Sequence, residues 1–167
     1  MIAVYLGLGS NLGCRSGNIS RAIRALNDSA IAVSGTSELY ETSPVGFTHQ
    51  PAFLNMVCAA NTDLSVSNLL KTIKGIEQSI GRTPSFTNGP REIDIDILFY
   101  GEQIIHTNSV SVPHPRLHER LFVLVPLAEL APSFIHPTLG KTISELIIEA
   151  LGDQKVEHWE EFKHDTK

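Results

Sequence analysis

Asp94 and Asp96 stand two residues apart in Arg91-Glu92-Ile93-Asp94-Ile95-Asp96-Ile97-Leu98-Phe99-Tyr100. In a strand, alternate side chains share a face, so the two carboxylates project together while Ile93, Ile95 and Ile97 turn to the core. At a rise of ~3.4 Å per residue their Cα atoms stand roughly 7 Å apart. Asp is a poor strand former and like charges on one face repel, so a solvated edge strand is the bland alternative. A divalent cation removes the repulsion. Hard oxygen donors at this spacing suit one or two Mg²⁺ ions.

Four arginines, Arg82, Arg91, Arg116 and Arg120, lie in the window from 82 to 120, which contains no lysine. Arginine without lysine favours planar, bidentate contacts with anions. Acids that hold metal, ringed by guanidinium groups, form the set that a polyphosphate requires. The alternative is surface pairing with Glu92, Glu102 and Glu119. Arg116 and Arg120 share a helical face if their segment is helical, and His114 lies between two prolines. Phe53 and Asn55 alternate onto one strand face. An aromatic plane beside an amide suits a flat heteroaromatic ring, although a core Phe with a turn-capping Asn fits equally well. Glu77 flanks an apolar helical stripe and reads as an exposed charge. Gly7, Gly9 and Gly13 read as a tight strand-to-helix turn. Leu12 occupies the third glycine position of a dinucleotide fingerprint, and no P-loop lysine follows.

Elements must hold these residues in place. Residues 2–8 and 53–61 read as buried strands, 31–40 as a segment rich in β-branched residues, and 92–100 as the clearest strand. A helix capped by Ser16 or Asn18 carries Ile19, Ala22, Ile23 and Leu26. Ser65 caps a second helix, with Gly81 as its stop. Residues 83–90 read as an exposed, mobile loop, Gly101-Glu102 as a hairpin turn into 103–106 with 110–112 as a short returning strand, and 117–130 and 143–151 as helices. The order β, α, β, β, α, β predicts an α+β, ferredoxin-like split βαβ sandwich. Its mainly antiparallel sheet carries two helices on one face, followed by the C-terminal hairpin and short helices.

The chain has 167 residues and a net charge of −5. That length fits one domain, expected over 1–151, with a polar and only partly ordered tail over 152–167. A negative charge disfavours nucleic acid as a partner. No apolar run reaches the ~18 residues of a membrane span. Cys14 and Cys58 form no framework of disulfides, and with no secretory leader in view the expected compartment is the cytoplasm.

In several stretches the sequence resembles the 6-hydroxymethyl-7,8-dihydropterin pyrophosphokinase family. They are Gly7–Gly13, Tyr40–Gly46, Gln50–Asn55, Glu77–Arg82, Gly89–Leu98 and Val112–Arg120. The Gly-Pro-Arg-x-Ile-Asp-Ile-Asp-Ile-Leu block followed by Val-Pro-His-Pro is the specific part. The resemblance implies transfer of pyrophosphate from ATP to the hydroxymethyl group of the pterin in folate biosynthesis, with AMP released. It implies that Asp94 and Asp96 hold two Mg²⁺ ions and that Arg82, Arg91, His114, Arg116 and Arg120 meet phosphates. It further implies that Phe53 and Phe122 sandwich the pterin while Asn55 and the backbone of Thr42 and Val45 read its edge. Glu77, Ile97 and Ser111 then belong to the ATP side, with Arg82 and Arg91 joining the two aspartates as catalytic. The loop after Arg82 departs from one version of the family pattern. Thr83–Asn88 carries neither the second arginine nor the tryptophan that close over substrates there. A monomer is expected. Two alternatives stay open at this stage: a ligand sensor using Phe53 and Asn55, and a phosphohydrolase using the same acids on water.

Overall fold

The computed structural model describes residues 1–150, 152 and 154–160. Its centre is an antiparallel sheet in the order β5-β1-β4-β3-β8, with β2 also on β4. The strands are β1 (Ile2–Ser10), β2 (Ile31–Thr36), β3 (Tyr40–Thr42), β4 (Phe53–Thr62), β5 (Asp94–Tyr100) and β8 (Val156–His158). A separate two-stranded ribbon joins β6 (Ile105–His106) to β7 (Ser111–Val112), the expected hairpin. The helices are α1 (Arg15–Asn27), α2 (Val66–Ile80), α3 (Leu121–Leu130) and α4 (Ile143–Glu149).

Two cores flank the sheet. On one face, Ile19, Ala22 and Leu26 of α1 and Leu69, Ile73 and Ile76 of α2 pack on Leu6, Leu8, Cys58, Ile95 and Ile97. This is the expected helical layer. On the other face, Val123, Leu124 and Leu127 of α3 and Ile143 and Leu146 of α4 cover Val57, Leu98 and Phe99. The short helices thus form a second layer. Apart from exposed Glu129, the α3 sequence is apolar all round, as a helix packed between other elements must be.

Several local readings change. Residues 31–40 are two strands rather than one. They separate where Ser37 turns its hydroxyl inward to accept from the Val57 N–H at 3.0 Å. Neither Ser16 nor Asn18 caps α1. Cys14 stands at the N-cap without a side-chain hydrogen bond, and buried Asn18 instead donates to the Leu12 and Glu92 carbonyls at 2.9 and 3.0 Å. That amide ties β1, α1 and the approach to β5 together. Segment 117–130 is a 3-10 turn at Leu117–Glu119 followed by α3, broken at an extended Arg120 (φ −114°, ψ 98°). Arg116 and Arg120 therefore do not share a helical face. Ser65 does cap α2, and Gly81 ends it in the left-handed region (φ 107°). Part of the segment read as a polar tail is β8, paired with β3. Leu151, Asp153 and residues 161–167 lie outside the described residues.

Candidate active site

β5 sets the site. Asp94 and Asp96 face away from the first core, opposite Gly9 and Gly7 of β1. Beside them opens a cavity of about 230 Å³. It gathers Asp94, Asp96, Arg91, His114, Arg120, Phe53, Phe122, Asn55, Thr42 and Val45, all expected from the sequence. It also gathers residues that sequence reasoning missed: Gly7, Gly9, Ser43, Asn88 and Leu98. Gly7 and Gly9 lie inside β1 and floor the cavity; they are not the turn expected. A Cβ on Gly9 would stand 2.7 Å from Asn55 Oδ1, so only glycine leaves that amide in place. The signal was there: two glycines with the spacing of alternate strand residues mark a face where something must approach closely.

The acids are held by arginine. Arg82 reaches Asp94 Oδ1 at 3.0 Å and Arg91 reaches Asp94 Oδ2 at 3.1 Å. Arg82 in turn meets Glu77 at 2.8 Å, and Lys74 meets Glu77 at 3.1 Å. Glu77 is buried, with 2% exposure, which corrects its reading as an exposed charge. It also accepts from the Ile95 N–H at 2.8 Å, clamping α2 to the strand that carries the acids. Burial, with the Asp94 charge second, pushes the Asp96 carboxyl up to about 7. Burial, with Arg120 beside it, pushes His114 down to about 4, so its imidazole is neutral near pH 7.

Each aromatic wall carries a guanidinium. Arg91 lies 5.6 Å from the Phe53 ring centre and Arg120 lies 5.5 Å from that of Phe122. Asn55 donates to the Thr42 hydroxyl at 2.5 Å. Asn11 fixes the backbone of Arg91 from both sides, donating its N–H to the Arg91 carbonyl at 3.1 Å and accepting at 2.8 Å. The Nε of Arg120 is buried without a hydrogen-bond partner.

Five expected site residues, Glu77, Arg82, Ile97, Ser111 and Arg116, lie outside the cavity lining, and Glu77 and Arg82 stand behind Asp94. Ile97 is buried in the first core. Ser111 bonds the His106 ring at 2.7 Å. Arg116 is exposed and pairs with Glu119 at 3.3 Å, the surface pairing weighed above. His118 lies 3.8 Å from Glu119. Outside the lining, Phe47 and Phe86 meet edge to face at 5.0 Å. Among the described residues no three His, Cys, Asp or Glu side chains converge as a metal cluster, and no helix is long and apolar enough to cross a membrane.

The fold places the chain in a class with solved precedents. It superposes on the wild-type Plasmodium falciparum HPPK-DHPS crystallised with pterin and p-hydroxybenzoate with a TM-score of 0.70. That match covers 89% of this chain and 41% of that one at 18% identity, a likeness of fold. Residues 5–132 match the family model described as 7,8-dihydro-6-hydroxymethylpterin-pyrophosphokinase, and the chain belongs to this family. It is 45% identical over 145 residues to the 2-amino-4-hydroxy-6-hydroxymethyldihydropteridine pyrophosphokinase of Aquifex aeolicus, covering 87% of this chain and 90% of that one. It is 46% identical over 143 residues to the folic acid synthesis protein FOL1 of Dictyostelium discoideum, covering 86% of this chain. The chain spans 22% of the length of that relative and 19% of the corresponding Pneumocystis carinii protein.

Proposed function

We propose that this chain transfers the pyrophosphoryl group of ATP to the hydroxymethyl oxygen of 6-hydroxymethyl-7,8-dihydropterin, a step of folate synthesis. One observation carries the reading: a single cavity collects two adjacent strand carboxylates, two ring-stacked guanidinium groups and an amide–hydroxyl pair. In this reading the flat pterin lies between Phe53 and Phe122, and Asn55 with the backbone of Thr42 and Val45 reads its edge. The bond from the hydroxymethyl oxygen to the β-phosphorus forms, and the bond from that phosphorus to the α–β bridging oxygen breaks. AMP leaves, and the hydroxyl proton is lost. No covalent enzyme intermediate is needed, so the protein contributes chiefly position and counter-charge. Arg91 and Arg120 face the phosphates with Arg82 behind them, and neutral His114 bonds a phosphate oxygen. Glu77, Ile97, Ser111 and Arg116 belong to the nucleotide side of this reading.

Two Mg²⁺ ions held by Asp94 and Asp96 complete it. The donor set fits, because hard carboxylate oxygens without a third protein ligand leave room for phosphate oxygens and water. Bound there, the ions would polarise the attacked phosphorus and the attacking hydroxyl. The enzyme is read as a cytoplasmic monomer with one catalytic unit over 1–151. Incubation with ATP, Mg²⁺ and the hydroxymethyl pterin tests the assignment. AMP and pyrophosphorylated pterin are expected in equal amounts, and chelation is expected to stop both. Phosphate release independent of pterin would point to a hydrolase instead, and absence of turnover would remove the enzymatic reading.

A further inference from the structure

Arg120 is the extended link between the 3-10 turn and α3, and its own backbone groups are taken by those two elements. Its N–H reaches the Leu117 carbonyl at 3.2 Å, and its carbonyl accepts from the Val123 and Leu124 N–H groups at 3.0 Å. The neighbouring groups, the Glu119 carbonyl and the Leu121 N–H, both bond one distant side chain. Gln154 Oε1 accepts from Leu121 N–H at 2.9 Å, and Gln154 Nε2 donates to the Glu119 carbonyl at 2.9 Å. A first-turn helix N–H has no partner within its own helix, so the carboxamide supplies one from outside. Both peptide planes around Arg120 are therefore gripped by a single planar amide. Gln154 is itself held on the opposite wall. The next carbonyl, of Lys155, accepts from Ser43 N–H at 3.4 Å, and Val156 registers with Thr42 on β3.

We infer that Gln154 is a positioning residue. By bracketing the backbone of Arg120 it sets the direction in which that guanidinium and the Phe122 ring enter the cavity, and it ties their wall to the Thr42–Ser43 wall. The residue lies beyond the segment 5–132 that matches the family model. The inference rests on the reading above, in which Arg120 meets the nucleotide's phosphates.

The test is a double-mutant cycle on the full chain. It is read by calorimetric affinity for a non-hydrolysable ATP analogue with Mg²⁺, by kcat and KM, and by thermal melting. Gln154→Ala is expected to weaken analogue binding roughly tenfold, on the scale of two lost hydrogen bonds. Gln154→Glu keeps the acceptor and loses the donor, so it should fall between Ala and wild type, and it carries the test if the Ala variant does not fold. In an Arg120→Ala background, Gln154→Ala should change affinity by less than about twofold, since the group it orients is gone. An equal loss in both backgrounds, or wild-type affinity in Gln154→Ala, would overturn the bracket while leaving the proposed reaction intact. Failure of the wild-type chain to bind the analogue would remove the proposed reaction, and the bracket with it.

Discussion

Asp94 and Asp96 were legible as a pair because period two in a run of isoleucines leaves them one possible face. What the pattern could not carry is their unequal state. Asp94 is paired with two guanidinium groups, whereas Asp96 is pushed up to about 7 by burial and by its neighbour's charge. A carboxyl raised above its unfolded value costs stability once ionised. The cost is absent below about pH 4, where both states hold the proton, grows as pH rises, and is complete above about pH 7. Asp96→Asn should therefore raise the melting temperature of the chelator-treated protein at pH 8, and by clearly less at pH 5. The same variant should lower kcat/KM more than about a hundredfold if Asp96 holds metal. A lower melting temperature at pH 8 would contradict the burial argument. Glu77 was misread because a helix charge is usually solvated. Its spacing held the missed signal: four residues after Ile73 and one after Ile76, it falls on the buried face.

Among the elements, α2 was readable from end to end, since its cap, apolar stripe and glycine stop are all local chemistry. The breaks at Ser37 and Arg120 were not, because each depends on a partner far away in the chain. The clamp between α2 and β5 shares that character. Glu77 joins Arg82, Lys74 and the Ile95 N–H. Glu77→Gln keeps the acceptor for Ile95 but removes the charge facing a partly buried arginine. It should destabilise the fold by about 2 kcal/mol in urea titration. Unchanged stability would mean that Asp94 alone suffices to hold Arg82.

For the whole molecule, the order of strands and helices was enough to predict the α+β sandwich and its first helical layer. The second layer was not, because an apolar run such as Leu121–Leu130 records burial without saying against which face. Phe99 anchors that layer, packing at 4.7 Å from Phe134 and 5.5 Å from His136 with 1% exposure. Phe99→Ala should cost roughly 3–5 kcal/mol in urea denaturation, the usual toll of a large core cavity. A loss below about 1 kcal/mol would mean that α3 and α4 are marginal to cohesion.

One irregularity joins these scales. Between the pairs Leu6↔Ile97 and Tyr5↔Phe99 the β1–β5 register slips, leaving Leu98 as an extra residue. Ahead of it the even-numbered side chains look into the cavity; beyond it Phe99 looks into the second core. Without this bulge Leu98 would pair in turn and the β1–β5 ladder would be regular. The alternation would then run unbroken, and Phe99 would fall on the face of the first core with the odd-numbered isoleucines. A single surplus residue thus lets one ribbon of chain serve reactivity at its start and adhesion at its end.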